Sequence, residues 1–131
     1  MKQPMQALLI APEPEMRDDI HYHRKEITIR EGHRDYNLGV AMLCCQIIPW
    51  AVMVDVTSVR HCFAKEVTPE EYEADGYASL EDMCQQMKRF YPKFDMDSPV
   101  TIVRWVNARG FFVDHPEEYW AYHDSVKEII G

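Results

Sequence analysis

Residues 25–31 alternate cleanly: Ile27 and Ile29 fall on one side, and Glu26, Thr28 and Arg30 on the other. That is the period of a half-buried strand. Val52, Val54 and Val56 repeat it within 51–61, and 40–48 form an apolar run. With Pro49-Trp50 as the break, these two stretches predict a hairpin in the middle of a sheet. Further strands are predicted at 6–10, ended by Pro12 and Pro14, and at 99–106. The polar stretch 32–39, with glycine at both ends, reads as a loop.

Elsewhere the spacing turns helical. A helix is predicted within 13–23. Thr68-Pro69-Glu70-Glu71 is a helix start, with Thr as N-cap, Pro at N1 and Glu at N3, and Asp75-Gly76 stops it. Ser79 opens the next helix. Its stripe is Leu80, Met83, Cys84, Met87 and Tyr91, and Pro92 ends it. Pro116 opens a C-terminal helix with Tyr119, Tyr122, Val126 and Ile129 on one face. The order β-α-β-β-β-α-α-β-α, with strands too short and mixed for a parallel α/β sheet, predicts an α+β fold. Its expected form is a small, partly closed mixed β-barrel with helices on its rim.

Composition narrows the picture. The chain has 131 residues, 47% of them hydrophobic, which suits one domain with a real core over 1–131. No apolar run reaches the length of a membrane span, and the first 16 residues do not read as a signal peptide. A cytoplasmic protein is expected. Cys44, Cys45, Cys62 and Cys84 form no CxxC and read as reduced and buried. The formal net charge of −8 argues against nonspecific coating of DNA or RNA, and leaves room for a small ligand or a local basic patch.

The one such patch lies around the first predicted strand after the 13–23 helix. His21, His23, Arg24, Lys25, Arg30, His33 and Arg34 are interleaved with Tyr22 and Tyr36. Aromatic stacking combined with phosphate contacts is how single-stranded RNA is held; a basic rim offsetting nearby acids is the plainer alternative. Lys25 and Thr28 are three apart, so they share a face only if Lys25 sits on the preceding loop. His21-x-His23 lacks a third ligand, Ser58 lacks triad partners, and Trp50, Trp105 and Trp120 read as core. No metal or cofactor is expected.

The run Lys25-Glu26-Ile27-Thr28-Ile29-Arg30 resembles the signature strand of the ASCH domains of the PUA-like superfamily, and within them the small bacterial N4-acetylcytidine amidohydrolases. The likeness continues through Asp55-Val56-Thr57-Ser58-Val59, the segment from Val67-Thr68 through Asp75-Gly76 to Ser79-Leu80, and Tyr91-Pro92 followed by 100–105. It covers a core of about 16–106, with 114–131 as an added helical extension. The resemblance implies a metal-independent amidohydrolase acting on an N4-acylated cytosine nucleoside. Thr28 would be the nucleophile and Lys25 the base, since a lysine acts so in the neutral form that burial and neighbouring cations favour. The family's glutamate falls in the stretch ending at Asp75-Gly76, where the nearest acid is Asp75, with Glu73 two positions earlier. Arg30 would contact the base carbonyl or the oxyanion. Arg24, Tyr22, His33, Arg34 and Tyr36 would line the substrate. Two other readings stand beside this one: a noncatalytic module binding RNA or a modified nucleotide, and a protein-interaction accessory protein. A monomer or small homo-oligomer fits each.

Overall fold

The computed structural model describes residues 6–10, 14–45 and 50–113. Their elements in chain order are β1 (Gln6–Ile10), α1 (Pro14–His21), β2 (Ile27–Glu31), β3 (Gly39–Cys45), β4 (Trp50–Phe63), a single 3-10 turn at Ala64–Glu66, α2 (Pro69–Ala74), α3 (Leu80–Met87) and β5 (Pro99–Val113). The sheet is mixed, with strand order β1-β3-β4-β5-β2. β1 runs parallel to β3, and β2 antiparallel to β5. The expected neighbours β3 and β4 are adjacent. The residues joining them, and the predicted C-terminal helix from Pro116 with Trp120, lie outside the described residues.

The chain divides into two compact units interleaved along the sequence. The first draws on segments 1–25, 39–55 and 106–131. Its buried side chains include Leu8, Ile20, Ala41, Leu43, Trp50, Val52 and Val54. Arg17 is also fully buried, with Nη1 donating to Cys45 Sγ at 3.6 Å. At its edge the Asp55 carboxylate accepts from Asn107 Nδ2 at 3.1 Å and Arg109 Nη2 at 3.0 Å, which hold it below the usual carboxylate range.

The second unit draws on 26–38 and 56–105. Its core gathers Ile27 and Ile29 of β2, Cys62, Ala64, Val67, the Met83-Cys84-Met87 stripe of α3, Phe94, and Val100 and Ile102 of β5. Thr68 caps α2 as the sequence predicts: its hydroxyl accepts from the Glu71 amide, and the Glu71 side chain accepts from the Thr68 amide. Ser79 likewise caps α3.

Three boundaries differ from expectation. Helix α3 stops at Met87, before Tyr91 and Pro92. Proline disfavours helical geometry in the residue before it, and the chain tightens ahead of it, with the amides of both Phe90 and Tyr91 donating to the Met87 carbonyl. Strand β5 continues past Val106 to Val113. Asn107 takes φ 60° there, a left-handed conformation that asparagine tolerates, and its bond to Asp55 continues the tie to β4. Strand β4 reaches Phe63 although burial stops alternating at Thr57 and Ser58, both exposed. Among the cysteines, all four are free thiols, but Cys44 and Cys45 are only half-buried.

Candidate functional site

The site is built on the outer edge of β2, the last strand in the sheet order. Glu26 O accepts from the Trp105 amide, and the Gly32 amide donates to Pro99 O. Antiparallel alternation then turns the backbone groups of Thr28 and Arg30 toward β5, and those of Ile27, Ile29 and Glu31 away from it. Such an edge invites pairing with another strand unless something covers it. Two side chains do. The Ile29 N–H donates to Asp75 Oδ2 at 3.2 Å, and Arg34 Nε donates to the Glu31 carbonyl at 2.8 Å.

Asp75 arrives at β2 by local rules. The Thr68 capping box fixes where α2 begins; Asp75 is its C-cap, and Gly76 turns the chain away at φ 95°, a conformation glycine adopts without strain. The carboxylate therefore meets the amide immediately after Thr28, and Thr28 itself is half-buried. Glu73, the alternative acid, is exposed. Beside Asp75 stands Tyr77, whose hydroxyl donates to Met87 Sδ at 3.7 Å. Burial pushes the Tyr77 phenol well above its ordinary range, and the Asp75 charge adds to the effect.

The 32–38 loop is latched to its own unit at several points. Thr101 on β5, fully buried, donates its hydroxyl to Gly32 O at 2.6 Å and accepts the Arg34 amide at 2.8 Å. His33 Nε2 donates to the Cys62 carbonyl at 3.1 Å, and His61 Nε2 donates to the Arg34 carbonyl at 2.8 Å. Each histidine thus grips the other's segment, and the two rings stack at 5.1 Å. Because a carbonyl only accepts, Nε2 carries the proton in both rings. Arg34 Nη1 reaches the Tyr36 hydroxyl at 3.5 Å.

In the first unit, Lys25 lies on the loop before β2, as the parity argument requires, and is buried to 8% exposure. Its amide and that of Arg24 both donate to the Asp19 carbonyl, at 2.9 and 2.7 Å. The Arg24 side chain pairs with the Asp19 carboxylate at 2.8 Å and lies over the Tyr22 ring at 5.2 Å. His21 meets that ring edge-on at 4.7 Å. The basic-aromatic residues thus fall into two sets: His21, Tyr22, His23, Arg24 and Lys25 in the first unit, and Arg30, His33, Arg34 and Tyr36 in the second.

Sequence reading missed Thr101, His61 and Tyr77. Thr101 carried a faint signal, a polar residue inside an apolar run; nothing local marks His61 or Tyr77. Among the described residues, no group of three histidine, cysteine or acidic side chains is placed to hold a metal ion. No helix among them is long and apolar enough to cross a membrane.

No family model matches the sequence, and no curated protein matches it. Solved structures do resemble the fold. A protein of the family DUF984 from Enterococcus faecalis V583 superposes with TM-score 0.62 at 11% identity, over 88% of this chain and 87% of that one. A serine-to-alanine variant of the ASCH protein of Zymomonas mobilis gives 0.58 at 12% identity, over 95% and 79%. The unaltered Zymomonas mobilis ASCH gives 0.55 at 12%, over 79% and 69%. The fold is the mixed α+β fold that these ASCH structures share.

Proposed function

We propose that this chain is a metal-independent amidohydrolase of the ASCH type, acting on an N4-acylated cytosine nucleoside. The observation that carries the reading is the bond from the Ile29 amide to Asp75 Oδ2 at 3.2 Å. It holds a carboxylate one peptide away from Thr28, the hydroxyl that the ASCH resemblance assigns as nucleophile. An aspartate one methylene shorter than the family's glutamate supports the reading through its contact with the strand itself.

In the proposed reaction Thr28 Oγ attacks the acyl carbon, and Lys25 takes the hydroxyl proton. The C–N bond to the cytosine amine then breaks, and the proton that Lys25 took passes by way of the Asp75 carboxylate to the departing nitrogen, so that Lys25 is neutral and Asp75 ionised again. Water hydrolyses the resulting threonine ester and restores the hydroxyl. Arg30, half-buried on the Thr28 side of β2, is assigned to the oxyanion or the base carbonyl. The test is ultraviolet detection of cytidine formed from N4-acetylcytidine. Turnover in the wild type that is lost in Thr28→Val and Lys25→Ala supports the assignment; no turnover in folded wild-type protein overturns it.

A second reading, noncatalytic binding of RNA or a modified nucleotide, is favoured by Arg24, whose guanidinium lies over the Tyr22 ring, and by Arg34, which reaches the Tyr36 hydroxyl. Under it, Thr28→Val leaves RNA affinity intact.

A further inference from the structure

We propose that the substrate carries a phosphate, so that the preferred molecule is an N4-acylated cytidine 5′-mononucleotide, and that Arg34 is the residue that reads it. This rests on the amidohydrolase reading for the position of the acyl group. Arg34 itself is argued from its own geometry.

Arg34 is exposed, yet its backbone and side chain are both fixed. The amide is held by the buried Thr101 hydroxyl and the carbonyl by His61. Nε is bonded to the Glu31 carbonyl, and Nη1 faces the Tyr36 hydroxyl. Nη2 makes no hydrogen bond to any described residue. A guanidinium that gives up no further rotamer freedom on binding is a preorganised anion receptor.

Its place relative to Asp75 sets the kind of anion. Both side chains sit on the same edge of β2, Asp75 at Ile29 and Arg34 at Glu31. Those residues are about 7 Å apart along a strand, before either side group extends from it. A pyrimidine ring and its sugar span that interval, with the exocyclic nitrogen toward Asp75 and the 5′ end toward Arg34. The Tyr36 hydroxyl stands beside the guanidinium at 3.5 Å. A single phosphate suits one fixed guanidinium. A polyanion would meet a chain of net charge −8, which offers few phosphate contacts.

The experiment compares N4-acetylcytidine, its 5′-monophosphate, and an oligoribonucleotide carrying one N4-acetylcytidine. These are tested with the wild type, Arg34→Ala and Arg34→Lys. The expected result is a wild-type kcat/KM about 10- to 100-fold higher for the monophosphate than for the nucleoside, the range of a charge-assisted hydrogen bond. The advantage should appear mainly in KM, collapse toward unity in Arg34→Ala, and recover only in part in Arg34→Lys, which keeps the charge but loses the fork. Equal use of nucleoside and monophosphate by the wild type overturns the proposal, as does a preference for the oligoribonucleotide. If no substrate turns over, calorimetry with cytidine 5′-monophosphate and cytidine separates the two ideas. Tighter binding of the monophosphate that Arg34→Ala abolishes keeps the phosphate site and removes the amidohydrolase reading. Indistinguishable binding of the two overturns the phosphate site as well.

Discussion

The Thr101 hydroxyl stands between two points of one loop: it accepts the Arg34 amide at 2.8 Å and donates to the Gly32 carbonyl at 2.6 Å. Thr101 is paired with Arg30 across the β2–β5 ladder, so the loop after β2 is tied to the residue facing that strand's end. Valine is nearly isosteric with threonine but offers neither bond. Thr101→Val is expected to cost about 1–2 kcal/mol of stability, because it leaves a partly buried carbonyl and amide without their partner. Amide hydrogen exchange within 32–38 should rise well beyond what the global loss explains, and Thr101→Ser, which keeps the hydroxyl, should restore most of the protection. Unchanged exchange in the valine variant would show that the histidine clasp alone holds the loop.

Asp75 separates structure from chemistry through a pair of variants. Asparagine keeps an oxygen to accept from the Ile29 amide; alanine does not. Asp75→Asn should remain within about 1 kcal/mol of wild-type stability while losing about 10²- to 10⁴-fold in proposed hydrolysis, the usual contribution of a positioned acid or base. Asp75→Ala should lose both. Thermal unfolding and the cytidine assay read the two quantities independently. An asparagine variant with full turnover would reduce Asp75 to a cap on the strand edge.

How much of this was legible follows from how local each feature is. The cap at Thr68, the stop at Asp75-Gly76 and the alternation at Ile27 and Ile29 are dictated by neighbours within a few residues, and the structure reproduces them. The placement of Asp75 on β2 links positions 46 apart, and the Thr101 latch links positions 67 and 69 apart. One sequence carries no periodicity that reports such contacts. The His33–His61 clasp is invisible for the same reason: each ring bonds a backbone carbonyl, a partner every residue offers. The longer reach of β5 lies beyond the apolar run 99–106 that marks the strand in the sequence: the chain absorbs Asn107 and Gly110 at φ 60° and 65° and goes on.

Tyr77 makes a prediction at alkaline pH. Burial, and then the Asp75 charge, raise its phenol in the folded protein above the ordinary value of about 10. The neutral form is therefore favoured by folding. Its contribution to stability is fully present below the unfolded value and is lost as pH rises through the folded one. Tyr77→Phe removes this dependence, so the variant should lose less stability than the wild type between neutral pH and strongly alkaline pH. In a tyrosinate absorbance titration the variant should lack only amplitude that appears late. Loss of early amplitude would mean that Tyr77 titrates as an ordinary surface phenol.

Glu71 makes the matching prediction in acid. It is the third residue of α2 and buried, and burial alone would raise its carboxyl. The opposing effects win. Arg60 Nε and Nη2 grip both carboxylate oxygens at 2.9 and 2.7 Å, and the Thr68 amide donates to Oε1 at 2.9 Å, so the folded value lies below the ordinary one. A depressed carboxyl stabilises the fold above its unfolded value, about 4.3, and that stability is lost as pH falls through the folded value. The wild type should therefore soften on acidification below about pH 4 more than Glu71→Gln does. At neutral pH the glutamine variant should already be about 1–3 kcal/mol less stable, since it loses a charge-assisted fork and leaves Arg60 without its anion. Because Arg60 is partly exposed, with 41% of its side-chain surface open, water compensates some of that loss, and the lower half of the range is expected. Thermal midpoints of both proteins between pH 7 and pH 3 decide it. Parallel curves would show that the fork contributes through geometry alone, and that the acid sensitivity of this unit lies in other carboxylates.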